Sequence, residues 1–179
     1  MKSTIQVHDK HFEVFIEQSI LEQRINALAT EINQDYTGKK PLFLAILNGS
    51  FMFAAELMKS ISVNCEITFL RVSSYQATAS TGKVHEILGL SENIENRDII
   101  IIEDIIDTGL TMIEIKKQLL AQNPSSLSIA TLFQKPEALK EPIDVQYVGF
   151  DLENKFVLGY GLDYDGLGRN LADLYVLCE

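Results

Sequence analysis

The chain has 179 residues, 46% of them hydrophobic, and a formal charge of -10 from 15 basic and 25 acidic side chains. That length and apolar content suit a single domain, residues 1–179, with a real core. The acidic balance excludes nonspecific nucleic-acid binders, whose affinity rests on basic patches, and disfavours a bare anionic substrate unless a divalent cation accompanies it.

The opening MKSTIQVHDK has no apolar leader, and the longest apolar run, residues 41–47, falls far short of the roughly 18 residues needed to cross a bilayer. Helical spacing of Ile16, Ile20, Ile25, Leu28, Ala29 and Ile32 predicts a first long helix running into Tyr36-Thr37-Gly38. PLFLAIL (41–47) then reads as a strand, Asn48-Gly49-Ser50 as a turn, and FMFAAELMKSI (51–61) as a helix. Residues 64–72 supply a second strand. DIIIIE (98–103) is the most emphatic one, because four consecutive isoleucines demand burial on both faces and hence a central place in a parallel sheet. A helix over 110–122 ends at Asn123-Pro124, and 126–134 and 145–150 complete five strands.

Strands alternating with helices define a doubly wound α/β fold, whose ligands bind beyond the carboxyl ends of the strands. The Ser-, Thr- and Gly-rich stretch 73–91 reads as a long connection of the kind that is functional or disordered. Cys65 and Cys178 have no metal-type spacing and read as reduced thiols of a cytoplasmic protein, and His8, His11 and His85 form no ligand or triad pattern.

Chemistry concentrates in IIIIEDIIDTGLT, where the central strand meets the next helix. Thr108, Gly109, Leu110 and Thr111 fall at a helix N-terminus, where free backbone N–H groups and the two hydroxyls can surround a phosphate and Gly109 permits close approach. Micromolar binding needs about -8 kcal/mol, and a helix end supplies only roughly 0.3–2, so other groups must contribute. Glu103 and Asp104 suit ribose hydroxyls or a hydrated magnesium ion. Being neighbours on a strand, they serve one ligand together only if the strand ends near residue 103. Read from the residues alone, Asp107 is a helix-capping aspartate.

This segment closely resembles the phosphoribosyl-diphosphate (PRPP) binding motif of type I phosphoribosyltransferases, and the spacing within EDIIDTG resembles their hypoxanthine-guanine branch. Similar features recur in order at 47–53, Ser74-Tyr75, 132–137 and 155–171. The resemblance implies a mostly parallel twisted sheet flanked by helices, with a small hood from the chain ends. It implies Mg2+-dependent transfer of phosphoribose from PRPP to a 6-oxopurine, in a cytoplasmic homodimer or homotetramer with no nucleic-acid or membrane partner.

By position, the resemblance gives ribose hydroxyls to Glu103 and Asp104, purine N7 to Asp107 as base, and the phosphate to residues 107–111. It gives the purine 6-oxo group to Lys135, stacking to Phe156, backbone contact with the base edge to Val157, and the second magnesium and purine edge to Asp163. Glu103 and Asp104 join Asp163 as the candidate metal ligands. Arg169, Asn48 and Gly49 are assigned to diphosphate, in a turn that can hold a cis peptide, and Ser74 and Tyr75 to a mobile loop at about 73–90. Asn48 stands where many relatives carry a basic residue.

A relative preferring xanthine is the near alternative. An RNA-binding regulator on the same fold fits poorly with the acidic charge, and the chain has neither a G-x-G-x-x-G nor a G-x-x-x-x-G-K-[ST] fingerprint of other nucleotide binders.

Overall fold

The computed structural model describes residues 4–74, 84–88, 90 and 92–178, with the backbone alone at 73–74 and 84–88. The elements run β1 (Thr4–Val7), β2 (Lys10–Ile16), α1 (Gln18–Asp35), β3 (Leu42–Leu47), α2 (Phe51–Ser60), β4 (Glu66–Ser74), β5 (Val84–Leu88) and β6 (Asp98–Ile106). They continue with α3 (Leu110–Leu120), β7 (Ser126–Gln134), β8 (Tyr147–Asp151), β9 (Val157–Leu158) and β10 (Leu174–Leu177).

The main sheet has the order β5-β4-β3-β6-β7-β8, parallel throughout except where β5 runs against β4. Its five parallel strands are the five expected from sequence. Ile99, Ile100, Ile101 and Ile102 of β6 are all fully buried. Strand alternation sends Ile100 and Ile102 into the core under α1 and α2, with Leu28 and Phe53, and Ile99 and Ile101 into the core under α3, with Met112 and Ile115. At about 1.5–3 kcal/mol for each buried side chain, this run anchors the strand that carries the acidic motif.

Three expectations need correction. Ile16 ends β2 and Ile20 is exposed, so the buried stripe of α1 is Leu21, Ile25, Leu28, Ala29 and Ile32. Ile16 and Ile20 fit helical spacing, but the chain is still extended at Ile16 where it leaves β2. Residues 84–88, read as loop, form β5, paired with β4. β6 also runs beyond 103 to Ile106, because its pairing with β7 persists as far as Ile106↔Gln134.

A second sheet, β1-β2-β10-β9, is built from the two chain ends around Phe12, Leu158 and Tyr175, and is the expected hood. At the far margin of the main sheet, the Arg24 guanidinium donates to two carbonyls of β8, Gly149 O at 3.0 Å and Val148 O at 2.7 Å.

Candidate active site

The pairing of β6 with β3 stops at Ala45↔Ile102, whereas its pairing with β7 continues for several residues. From Glu103 onward β6 is no longer paired with β3, and the turn after β3 lies against it instead, with Gly49 packed on the Asp104 carboxylate. The Asp104 N–H donates to Glu103 Oε1 (3.2 Å) and the Ile105 N–H to Asp104 Oδ1 (2.8 Å), so the acids bond amides beside them. This local bonding brings the two carboxyls side by side although the strand has not ended, which removes the condition set from the sequence. Burial, followed by the adjacent Asp104 charge, pushes the Glu103 carboxyl well above the usual carboxylate range; the Asp104 N–H acts weakly in the opposite sense. Such a pair favours a shared proton or a positive partner.

Beyond these acids lies a cleft of about 120 Å³ whose wall includes Glu103, Asp107, Thr108, Gly109 and Thr111. Gly109 precedes α3 at φ 78°, with the Leu139 side chain 3.1 Å from where a Cβ would stand, so both backbone and space call for glycine. Leu110 opens the helix with its side chain half exposed. Among the described residues no side chain caps α3, which leaves its first-turn N–H groups available to an anion. Asp107 is thus not a capping residue. Its Oδ2 lies 3.3 Å from Lys135 Nζ.

Lys135 follows β7, its N–H donating to Ile106 O (2.9 Å), and only 6% of it is exposed. A buried ammonium is costly without a partner; here the Asp107 carboxylate, itself half exposed, supplies one.

The hood contributes the remaining candidates. Phe156 is 42% exposed and lies edge-on to Tyr164 at 5.6 Å between ring centres, and Val157 is buried where β9 pairs with Val176. Asp163 Oδ1 accepts from Arg169 Nη2 at 2.6 Å, and its Oδ2 accepts from the Gly166 N–H at 2.7 Å. At the end of β3 the Leu47-Asn48 peptide is cis, Asn48 is exposed, and Gly49 and Ser50 are buried.

The structure joins Glu103 with Asp104, Asp107 with Lys135, and Asp163 with Arg169. Among the described residues no three His, Cys, Asp or Glu side chains gather as an ion site, so Glu103, Asp104 and Asp163 do not form one ligand cluster. The Asp163 carboxylate is held by the guanidinium of its neighbour instead. Ser74 is the last described residue of β4, with its backbone alone placed; Tyr75 lies outside the described residues, as does most of the expected loop.

Sequence reasoning gave no role to the turn between β1 and β2. There the Tyr164 hydroxyl donates to Asp9 Oδ1 (2.9 Å), and Lys10 Nζ sits 4.8 Å from the Tyr164 ring centre and 5.5 Å from that of Phe156. Nothing in the sequence marks these contacts, which span some 155 residues. Gly161 was also passed over, although glycines at 159, 161, 166 and 168 signal a tightly folded loop.

Fold and site together define a doubly wound α/β protein with anion-binding and carboxylate chemistry gathered at the carboxyl ends of its strands. The family model described as "Phosphoribosyl transferase domain" matches residues 16–165. The hypoxanthine-guanine phosphoribosyltransferase of Streptococcus thermophilus is 41% identical over 93% of both chains, and that of Streptococcus mutans 46% identical over 85% of both. The solved structure of a hypoxanthine phosphoribosyltransferase from Staphylococcus aureus is similar with a TM-score of 0.89 at 41% identity, covering 93% of this chain and 91% of that one. This chain belongs to the phosphoribosyltransferase family, in its hypoxanthine-guanine branch.

Proposed function

We propose that this chain transfers the 5-phosphoribosyl group of PRPP to hypoxanthine and guanine, forming IMP, GMP and diphosphate. The observation that carries the base class is the Asp107–Lys135 pair, a carboxylate and a buried ammonium 3.3 Å apart beside the phosphate cleft. A 6-oxopurine presents an acceptor, the 6-oxo group, next to a ring nitrogen that loses its proton on reaction; Lys135 donates to the first and Asp107 takes the proton from the second. A 6-amino group offers donors to the ammonium and is disfavoured.

The 5′-phosphate binds at residues 107–111, on the open N–H groups of α3 and the hydroxyls of Thr108 and Thr111. Glu103 and Asp104 hold the ribose hydroxyls, and their negative charge stabilises the positive ribose ring of the transition state. Arg169 uses two of its N–H donors on Gly161 O and Asp163, leaving others for diphosphate beside Asn48 and Gly49. Phe156, half exposed, stacks on the purine, and the Val157 backbone meets its edge.

The donor set fits magnesium in two places. Glu103 and Asp104 form an uncompensated acid pair, and Asp163 offers one carboxylate, which suffices for an ion that keeps most of its waters. Bound there, the ion would neutralise the leaving diphosphate.

A homo-oligomer is part of the proposal. Phe51, Ile67 and Phe69 are exposed, and a second copy can cover them. Two free cysteines, and no described helix long and apolar enough to cross a membrane, support a cytoplasmic setting.

The test is diphosphate release from PRPP, with and without magnesium, across hypoxanthine, guanine, xanthine, adenine and uracil. Magnesium-dependent release with the first two is expected. Release with xanthine alone would move the chain to the near alternative, and no release with any base would end the proposal.

A further inference from the structure

Two glycines stand in series between the hood and the acidic pair. A Cβ at Gly161 would overlap the Gly49 carbonyl oxygen, with the carbonyl carbon 3.2 Å away, and a Cβ at Gly49 would overlap Asp104 Oδ2, with Oδ1 at 3.1 Å. Segments distant in sequence are thereby stacked: the loop after β9, the turn after β3 and the end of β6. Gly161 is also tied to Arg169 twice. Its N–H donates to Arg169 O (2.9 Å), and its carbonyl accepts from Arg169 Nη1 (2.8 Å), while the same guanidinium holds Asp163 through Nη2 (2.6 Å).

We propose that Gly161 is a positioning residue for phosphoribosyl transfer, setting the Asp163–Arg169 pair at a fixed distance from Asp104 by direct backbone contact with the Gly49 turn. The side-chain-free contact transmits position in both directions. A methyl group at 161 pushes the Gly49 carbonyl away, which shifts the cavity that receives the Asp104 carboxylate and, from the other side, the carbonyl that Arg169 grips. The consequence falls on the sugar and diphosphate of PRPP, whereas Asp107 and Lys135 lie outside the stack. This rests on the reading that Asp104 and Arg169 serve PRPP.

Gly159 supplies a matched control. It has φ 101° against 102° at Gly161, and its Cβ would also overlap a backbone carbonyl, that of Asp173 within the hood. Both alanine variants carry the same left-handed backbone penalty, and only one touches the Gly49 turn. Gly161→Ala is expected to raise the KM for PRPP by about tenfold or more, given that a misplacement of about 1 Å can cost on the order of 100-fold, with the KM for hypoxanthine little changed. Gly159→Ala is expected to lower the melting temperature with the KM for PRPP little changed.

If Gly161→Ala folds only in part, its KM for PRPP is measured on the folded fraction at lowered temperature, since KM does not depend on how much of the protein is active. A Gly161 variant that folds with an unchanged KM for PRPP, or a Gly159 variant that matches its effect, overturns the proposal. Wild-type activity toward PRPP decides the underlying reading separately.

Discussion

The two halves of the candidate site are built in different ways. The phosphate half is one continuous run, residues 103–111, at the end of a strand whose four isoleucines are fully buried. The hood half, Phe156, Val157, Asp163 and Arg169, holds its side chains through loop hydrogen bonds and ion pairs, around glycines at positive φ and against a turn of the N-terminal hairpin. Core burial fixes the first, so its geometry follows from local sequence. Burial of Val157, Leu158, Tyr160 and Leu162 anchors the backbone of the second as well, the first, third and fourth of them in the same core as Ile100 and Ile102, and its polar side chains are then set by bonds within the loop and by the Asp9–Tyr164 contact.

The largest effect that tests this contrast is expected at Asp107. Asp107→Asn should lower turnover about 100-fold or more, as for loss of a general base, with the KM for PRPP little changed, and should also lower the melting temperature, because the buried Lys135 ammonium loses its charge partner. Steady-state kinetics checks this, and near-normal turnover would take Asp107 out of the proton-transfer role.

A smaller and more selective effect is expected at Lys135. Lys135→Ala should raise the KM for hypoxanthine about 10- to 100-fold, from the ~1.5–3 kcal/mol of a hydrogen bond to a charged group. PRPP binding should persist. Isothermal titration with hypoxanthine and adenine separates the contacts, and equal losses toward both bases would contradict recognition of the 6-oxo group.

The smallest effect lies in the hood. The hydrogen bond from the Tyr164 hydroxyl holds the Asp9 carboxyl below its ordinary value of 3.8, so the carboxylate contributes stability above about pH 4, lost as pH falls through its lowered value. Asp9→Asn should lower the melting temperature slightly at pH 7, and the difference should shrink at about pH 3. A difference independent of pH would show that the Asp9 charge contributes nothing.

The same contrast explains what the sequence revealed. Ile99 to Ile102 placed the central strand and Gly109 the start of α3, because burial on both faces and a helix start are each written in a short local pattern. The misreadings fall where a local pattern had two solutions. Ile16 and Ile20 satisfied helical spacing, yet Ile16 pairs with Leu174, a partner that no window around residue 16 contains. β6 passed the expected end at Glu103 because β7 keeps it paired, which is again information held elsewhere in the chain. The Gly161–Gly49–Asp104 stack was invisible for the same reason. Glycine-rich spacing announces a turn but not the carbonyl pressed against it.

The Arg24 guanidinium at β8 bears on how copies of this chain can associate. A bare outer strand offers its acceptors to any passing strand and is a route to open-ended aggregation. Here a charged fork from α1 already occupies the carbonyls of Val148 and Gly149, so that margin of the main sheet cannot recruit another strand without first displacing a cation.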